Sequence, residues 1–412
     1  MIGGERLRLR YVLAPREETH RVDLPVLSVY RDHGVVLKDS RADNYNKTPE
    51  NLSRYQRVAV GDLVVNKMKA WSGSVAVSRY EGIVSPDYLV CRVSDRVFPN
   101  YLHHLLRSAS LVAEMHSRSK GIRPSQERLY WDDLADMDVM IPRLSDQRRI
   151  ADFLDDQVAL LGPVIDRRVQ QQSLIFERRV AMARTATTVG LSNGPRVPTG
   201  IEWMPEIAAG WELRKISRSF RTGSGTTPKA DHPGYFGGDY PWINTGDLRD
   251  GVVDNANRCV TDAALADYSS LKFYEPGTLL VAMYGATIGR LGRLAIRACL
   301  NQACCAIYEP TDVSIDYLYY WFLGHRIEIV ELGTGGGQPN ISQAVIASLR
   351  IPSPSKDIQA EIVNTLEREH RGADHLLGFF ARQADLYRER KQSIITAAVT
   401  GQFDVTTARR VA

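Results

Sequence analysis

The chain has 412 residues, 44% of them apolar, and a formal net charge of +4. That suffices for two or more ordinary cores and is too little charge for a strong field over the whole surface. It has no run of 18 apolar residues, its opening MIGGERLRLR lacks the apolar stretch of a secretory signal, and its five cysteines form no CxxC pair; the expectation is a cytoplasmic protein with reduced, buried thiols and no transmembrane helix.

Taken in chain order, residues 1–141 read as a sheet-rich globule. LPVLSVY (24–30), DLVVNKM (62–68), GSVAVSRY (73–80) and YLVCRV (88–93) are short apolar runs broken by Gly, Asn and Asp, the pattern of strands. A helix is expected over 99–114. From 146 to 188 the period changes: Ile150, Leu154, Val158, Leu161, Ile165, Val169 and Ile175 form one stripe at helical spacing. Residues 142–189 are therefore a helical spacer, with Ser145 placed to cap it and Gly162-Pro163 placed to break or kink it. The Gly- and Pro-rich stretch 190–210 reads as a linker. Residues 211–353 form a second globule opening at Trp211, with PGTLLVAMYG and CCAIYEP as strands and a helix over 315–332. Its 13 Lys and Arg against 14 Asp and Glu leave almost no net field. Residues 354–405 are a second helical spacer with its tail, capped by Ser355. Its stripe is Ile358, Ile362, Leu366, Ala373, Leu377, Phe380, Tyr387, Ile394 and Ala398.

The two halves are copies of one unit. Pro142 and Pro354, Gln147 and Gln359, Ile150 and Ile362 each lie 212 positions apart. Upstream the offset is 216: Gly61 meets Gly277, Gly73 meets Gly289, NYLHHLL meets DYLYYWF and Pro25 meets Pro241. One small loop change explains the slip. A narrow apolar stripe on a helix of about 40 residues, roughly 60 Å long, outruns any small globule and needs a partner of equal length. The fold class expected is α+β: two sheet-rich globules, each followed by a long helix, with the two helices paired antiparallel as a coiled-coil-like spacer.

Catalytic signatures are missing. GSGTTPK has the glycines of a phosphate loop but not its spacing, and GTGGGQPN follows a helix where a dinucleotide turn would follow a strand. Pro86-Asp87 starts a nuclease pattern that no acidic-x-Lys pair completes. His103-His104 sits on an amphipathic helix, where packing is the ordinary role. The sequence offers no metal site, no catalytic residue and no bound cofactor. Three classes stay open: a nucleic-acid recognition protein, a scaffold of two interaction modules binding protein partners only, and an enzyme of unfamiliar type.

The order GIEWMPEIAAGWELRKI, PGTLLVAMYGATIGRLG, GQPNISQAVIASLRIPSPSKDIQAEIV and RKQSIITAAVTGQFDV resembles the specificity subunit of type I restriction-modification systems. VGDLVVNKMKAWSGSVAV, IPRLSDQRRI and ERRVAMARTATTVG echo it in the first half. The usual Pro-Leu-x-Glu-Gln phrase is altered here to PRLSDQ and PSPSKDIQ, and the first globule lacks a Gly-Trp opening. The resemblance implies two target-recognition domains that each read half of a split, asymmetric double-stranded DNA target. The paired helices would act as spacer and dock methyltransferase subunits, in two copies, and restriction motor-nuclease subunits. S-adenosylmethionine, ATP and Mg would be bound by those partners. Candidate DNA contacts, chosen as cations, amides and hydroxyls in loops, are Lys38, Arg41, Asn44, Asn46, Lys47, Lys67, Lys69, Arg118, Lys120 and Arg123 in the first globule. In the second they are Arg221, Thr226, Thr227, Lys229, Tyr235, Asn244, Arg290, Arg293, Gln338 and Asn340. Helix packing is assigned to Ile150, Leu154, Val158, Leu161, Ile165, Ile362, Leu366, Leu377, Phe380 and Ile394.

Overall fold

The computed structural model describes residues 4–40, 48–121, 127–232, 234–333 and 340–405. The chain divides into two units, one joining residues 1–169 to 381–412 and the other spanning 170–380. In the first unit the strands are β1 (Gly4–Arg8), β2 (Leu13–Pro15), β3 (Leu27–Tyr30), β4 (Gly34–Leu37), β5 (Gln56–Val58), β6 (Leu63–Asn66), β7 (Val75–Val77), β8 (Gly82–Val84) and β9 (Tyr88–Val93). Then come α1 (Pro99–Leu106), α2 (Ala109–Arg118), α3 (Trp131–Ala135), β10 (Asp138–Pro142) and the long α4 (Leu144–Val189). The main sheet has the order β2-β9-β6-β7. Its side chains alternate, as period-two strands require. Leu63, Val65, Val75 and Cys91 pack with Tyr101, Leu102 and Met115 of the helices. Val64, Ala76 and Val90 turn the other way, onto Leu27, Val29, Val58 and Val84. β1 pairs antiparallel with β10, which puts the first strand beside the strand that leads into α4.

The second unit opens with β11 (Arg196–Ile201) and β12 (Met204–Ala208), followed by β13 (Glu212–Lys215), α5 (Ile216–Ser219), β14 (Arg221–Ser224), β15 (Phe236–Ile243), β16 (Gly251–Val253) and β17 (Cys259–Val260). Next are α6 (Asp262–Asp267), β18 (Phe273–Tyr274), β19 (Leu279–Ala282), β20 (Leu291–Leu294), β21 (Ala298–Leu300) and β22 (Cys304–Tyr308). It closes with α7 (Ile315–Gly324), α8 (Arg326–Glu331), α9 (Gln343–Ser348), β23 (Arg350–Ser353) and the long α10 (Lys356–Val399). Its main sheet, β14-β22-β19-β20-β16, repeats the order of the first and adds one strand. The register repeats as well. Leu63 faces Cys91 and Val65 faces Val75 in the first unit; Leu279 faces Ile307 and Val281 faces Leu291 in the second. Val26 bridges Ile83 in parallel as Trp242 bridges Cys299. Every one of these pairs is shifted by the 216 positions read from the sequence. Gly61 and Gly277, and Gly73 and Gly289, all have positive φ, which explains why glycine stands at both copies of each turn.

Several expectations are corrected. The single helix over 99–114 is two, broken at Arg107-Ser108, and the helix expected over 315–332 is also two, broken at His325, one residue beyond the matching place. The groups freed at each break are taken up by a long helix. In the first unit Gln392 Nε2 donates to the Arg107 carbonyl (2.8 Å) and Thr396 Oγ1 accepts the Ala109 N–H (3.1 Å). In the second, Arg184 Nε donates to the Gly324 carbonyl (2.9 Å). Residues 190–210 hold the β11–β12 hairpin, whose Met204 and Ile207 are buried and whose Trp203 packs on Trp321 and His325. Pro198 misled there, because an edge strand tolerates proline. α4 begins at Leu144, so Ser145 lies inside its first turn, whereas Ser355 does cap α10. α4 continues unbroken through Pro163; that residue and Ala159, whose carbonyl it cannot bond, are exposed to solvent.

Along the long helices Ile150, Leu154, Ile165, Ile362 and Leu366 are buried. Val158, Leu161, Leu377, Phe380 and Ile394 are half-buried. Val169 and Ile358 are exposed instead, and His370, Ala384 and Ile395 are buried without having been expected. In the first unit Ile150 and Leu154 share a core with Ile395, Ala398 and Val399. In the second, Ala183 and Ala186 share one with Ile362 and Leu366, and Arg179 bonds Asp374 (2.6 Å) and His370 (3.3 Å). Within the second unit, then, rising numbers on α4 run beside falling numbers on α10, an antiparallel pairing.

Candidate nucleic-acid interface

At the end of the central strand of each main sheet the backbone makes the same three-way junction. In the first unit the Lys67 N–H donates to the Asp87 carbonyl, and the Lys67 carbonyl accepts the Leu129 N–H, both at 3.0 Å. In the second the Met283 N–H donates to the Ala303 carbonyl, and its carbonyl accepts the Ile341 N–H, both at 2.8 Å. Three loops thereby meet in each unit; residues 122–126 and 334–339, in the stretches named as candidates from the sequence, lie outside the described residues. What the loops carry differs. The first junction presents Lys67, Asp87 and Arg128. The Lys67 ammonium donates to the Pro86 carbonyl (2.8 Å), and burial holds its pKa below the ordinary lysine value. Arg128 lies 3.6 Å from Asp87. The second presents amides and hydroxyls: Thr227 bonds Gln302, and Tyr284 bridges Asn340 through the backbone.

The remaining candidates are dispersed. Lys38 and the exposed Lys69, Lys229 and Arg290 have no ion pair among the described residues. Arg118 is held by Glu114 (2.8 Å), Lys120 by Asp133 (2.7 Å) and Arg221 by Glu309 (2.9 Å). Arg293 is a brace inside the second unit, bonded to Asp316 (2.8 Å) and stacked over Tyr319. Asn244 shapes its own turn by accepting the Gly246 N–H, and the Thr226 carbonyl accepts from Trp242. Tyr235 stacks on His232 (3.9 Å) and donates to Asp267 (2.7 Å). Arg41, Asn44, Asn46, Lys47, Arg123 and Gln338 fall outside the described residues. Sequence reasoning missed Tyr284, Gln302, Asp87 and Arg128, though the offset of 216 from Lys67 would have pointed to the junction that holds them. His104 bonds Asp155 (2.8 Å), and His103 Nδ1 accepts the Val77 N–H (3.3 Å). Cys91, Cys299, Cys304 and Cys305 are buried, and burial pushes their thiols up, Cys91 and Cys305 to about 12 and Cys299 to about 11. They are packing groups, not nucleophiles. No helix is long and apolar enough to cross a membrane among the described residues.

One sheet frame is used twice, with different side chains at the same junction. Residues 209–373 match the family described as the type I restriction modification DNA specificity domain. The second unit therefore carries a domain of that family, and the chain as a whole is similar to type I specificity subunits. It is 20% identical over 376 residues to the putative type I restriction enzyme MjaX specificity subunit of Methanocaldococcus jannaschii, covering 87% of this chain and 82% of that one. The MjaIX specificity subunit of the same organism is 27% identical over 166 residues, a match spanning 39% of this chain and only 38% of the relative. Among solved structures, one described as showing complex assembly and conformational transition of the type I R-M system shares the fold. Its TM-score is 0.66 at 16% identity, over 98% of this chain and all of the other.

Proposed function

We propose that this chain is the DNA sequence-recognition subunit of a type I restriction-modification complex, reading a bipartite, asymmetric target with one half for each unit. It makes no bonds itself. Methyltransferase subunits, in two copies, and restriction motor-nuclease subunits dock on it, and S-adenosylmethionine, ATP and Mg belong to those partners. The observation that carries the reading is the exchange of Lys67, Asp87 and Arg128 for Met283, Ala303 and Asn340 on one kept backbone junction. An enzyme duplicated for its chemistry would keep its reacting groups in both copies. Two readers of different sequences would change them, because base edges are told apart by where donors and acceptors stand. The exposed Leu174, Phe176, Leu376 and Phe379 on the helical segments of the second unit support docking of protein partners.

The deciding experiment sequences modified adenines in the source genome with and without this gene. A split motif that disappears on deletion is the expected result. Binding by the purified chain that does not discriminate a target from random duplex, at stated salt, would favour a scaffold that meets only protein partners. The length of α4 and α10 is proposed to set the gap between half-sites. Four residues added to α4 lengthen it by about 6 Å, close to two base pairs at ~3.4 Å each. The gap should lengthen or binding should be lost; full affinity for the original gap would contradict a ruler.

A further inference from the structure

The root of each long helix holds a buried glutamine with the same partners. Gln147 is 1% exposed and Gln359 is 2% exposed. Gln147 Oε1 accepts the Phe98 N–H (2.7 Å), and its Nε2 donates to the carbonyls of Arg96 (3.1 Å) and Pro142 (2.9 Å). Gln359 Oε1 accepts the Ser314 N–H (2.8 Å), and its Nε2 donates to the carbonyls of Asp312 and Pro354, both at 2.9 Å. One amide thus ties together the turn before α1 or α7, the chain leaving the globule's last strand and the first turn of the long helix. Its acceptor and both its donors are engaged, so no other rotation of the side chain serves equally well. The surrounding contacts are not kept in this way: two turns along, Asp155 meets His104 whereas Glu367 meets Arg293.

We infer that Gln147 and Gln359 are positioning residues that fix the angle between each recognition globule and its own helix, and so the half-site gap the chain accepts. The inference rests on the recognition reading above. A small error at the root is magnified along the helix. For a helix of 46 residues, about 70 Å long, a tilt of about 5° moves the far end by about 6 Å, more than the ~3.4 Å rise of a base pair. Helix length sets a coarse gap, and the two amides make it a single value.

The test uses the full chain and a duplex library in which the gap between the half-sites is varied. In Gln147→Met the side chain keeps its length and loses all three bonds. Base preferences at both half-sites should stay, because Gln147 reads no base. Discrimination between the preferred gap and gaps one base pair longer or shorter should fall about tenfold. Gln359→Met should do the same through the other unit. Should Gln147→Met fail to fold, Gln147→Asn, which keeps the amide and shortens its reach, carries the same expectation. A folded variant whose gap discrimination stays within about twofold of the original overturns the inference. Equal loss of base preference and gap preference also overturns it, since that is what simple destabilisation of the globule would give. A wild-type chain with no split target at all overturns the recognition reading itself, a result distinguishable from the other two.

Discussion

In the first unit the carboxylate of Asp155 on α4 is held by His104 (2.8 Å) and Asn100 (2.9 Å), both on α1. In the second unit the matching position on α10 is Glu367. It faces Arg293 (3.6 Å) from β20, and Arg293 also holds Asp316 (2.8 Å), the counterpart of Asn100. The place where globule and helix are braced is kept while its chemistry is exchanged. Burial pushes the Asp155 carboxyl up, but the bond and charge of His104, with Arg79 and Asn100, outweigh it and leave its pKa below the ordinary aspartate value. Duplication preserved positions and pairings here; the groups filling them were free to change wherever another pair could close the same gap. The glutamine at the helix root was not exchanged, which marks it off from the braces.

The equivalence of the two units can be broken most forcefully in their cores. Leu154 and Leu366 occupy matching, fully buried positions on the two helices. Leu154→Ala and Leu366→Ala should each cost about 2–5 kcal/mol, read by urea unfolding with hydrogen exchange to report each unit. A loss confined to one variant would show that the copies are not packed alike. Acid sharpens the comparison next. Burial, followed by nearby arginine charge, holds His325 at about 3 and His370 at about 4, and burial also holds His103 in the first unit well below 6.5. A folded histidine that resists protonation leaves the unfolded chain binding more protons, so stability falls as pH drops below 6.5 and levels off once the folded group titrates. Between pH 6.5 and about 4 the second unit, with two such groups, should lose up to about 2.8 kcal/mol per pH unit, against about 1.4 for the first. Equal slopes in unfolding measured at pH 7 and pH 5 would contradict this.

The braces come third. His104→Ala leaves Asp155 without its closest partner and should cost about 1–3 kcal/mol. Arg293→Gln removes a pair whose acid, Asp316, is half exposed, and should cost less than about 1 kcal/mol. Thermal melts of the two variants should fall in that order. Smallest of all is the expected effect of Lys69→Ala and Lys229→Ala on folding, within about 0.5 kcal/mol. If these cations meet phosphates, each change should lower the salt slope of DNA binding by about 1. An unchanged slope would remove them from the interface.

Much of the frame was legible because strand pairing depends on apolar period and turn glycines, both written locally. The offset of 216 tracked the register residue by residue, and Gly61 and Gly277 marked one turn twice. Features settled by distant partners were not legible. The break at Arg107-Ser108 exists because Gln392 and Thr396 satisfy it from 285 residues or more away, and the hairpin over 196–208 is held by Trp321 and His325. Ile394 was favoured over Ile395 because a stripe read at fixed spacing drifts by one position over 44 residues. The candidate interface was least legible. Arg221, Arg118 and Lys120 look like free cations in the sequence, and only the fold brings acids beside them. The junction residue Gln302 carries no local signal, and Asp87 showed only the start of a nuclease pattern that nothing completes.

The division of the chain also has a consequence for how the protein is made. The second unit is one uninterrupted stretch, 170–380, whereas the core of the first gathers Leu9 and Leu13 together with Ile395, Val399 and Val405. On the ribosome the usual order, earliest domain first, cannot hold for it: the first globule must wait with part of its apolar surface uncovered until residues 395–405 emerge. The half translated second is the first that can be finished, and removal of residues 395–405 should damage the first globule before the second, which lies nearer the cut in sequence.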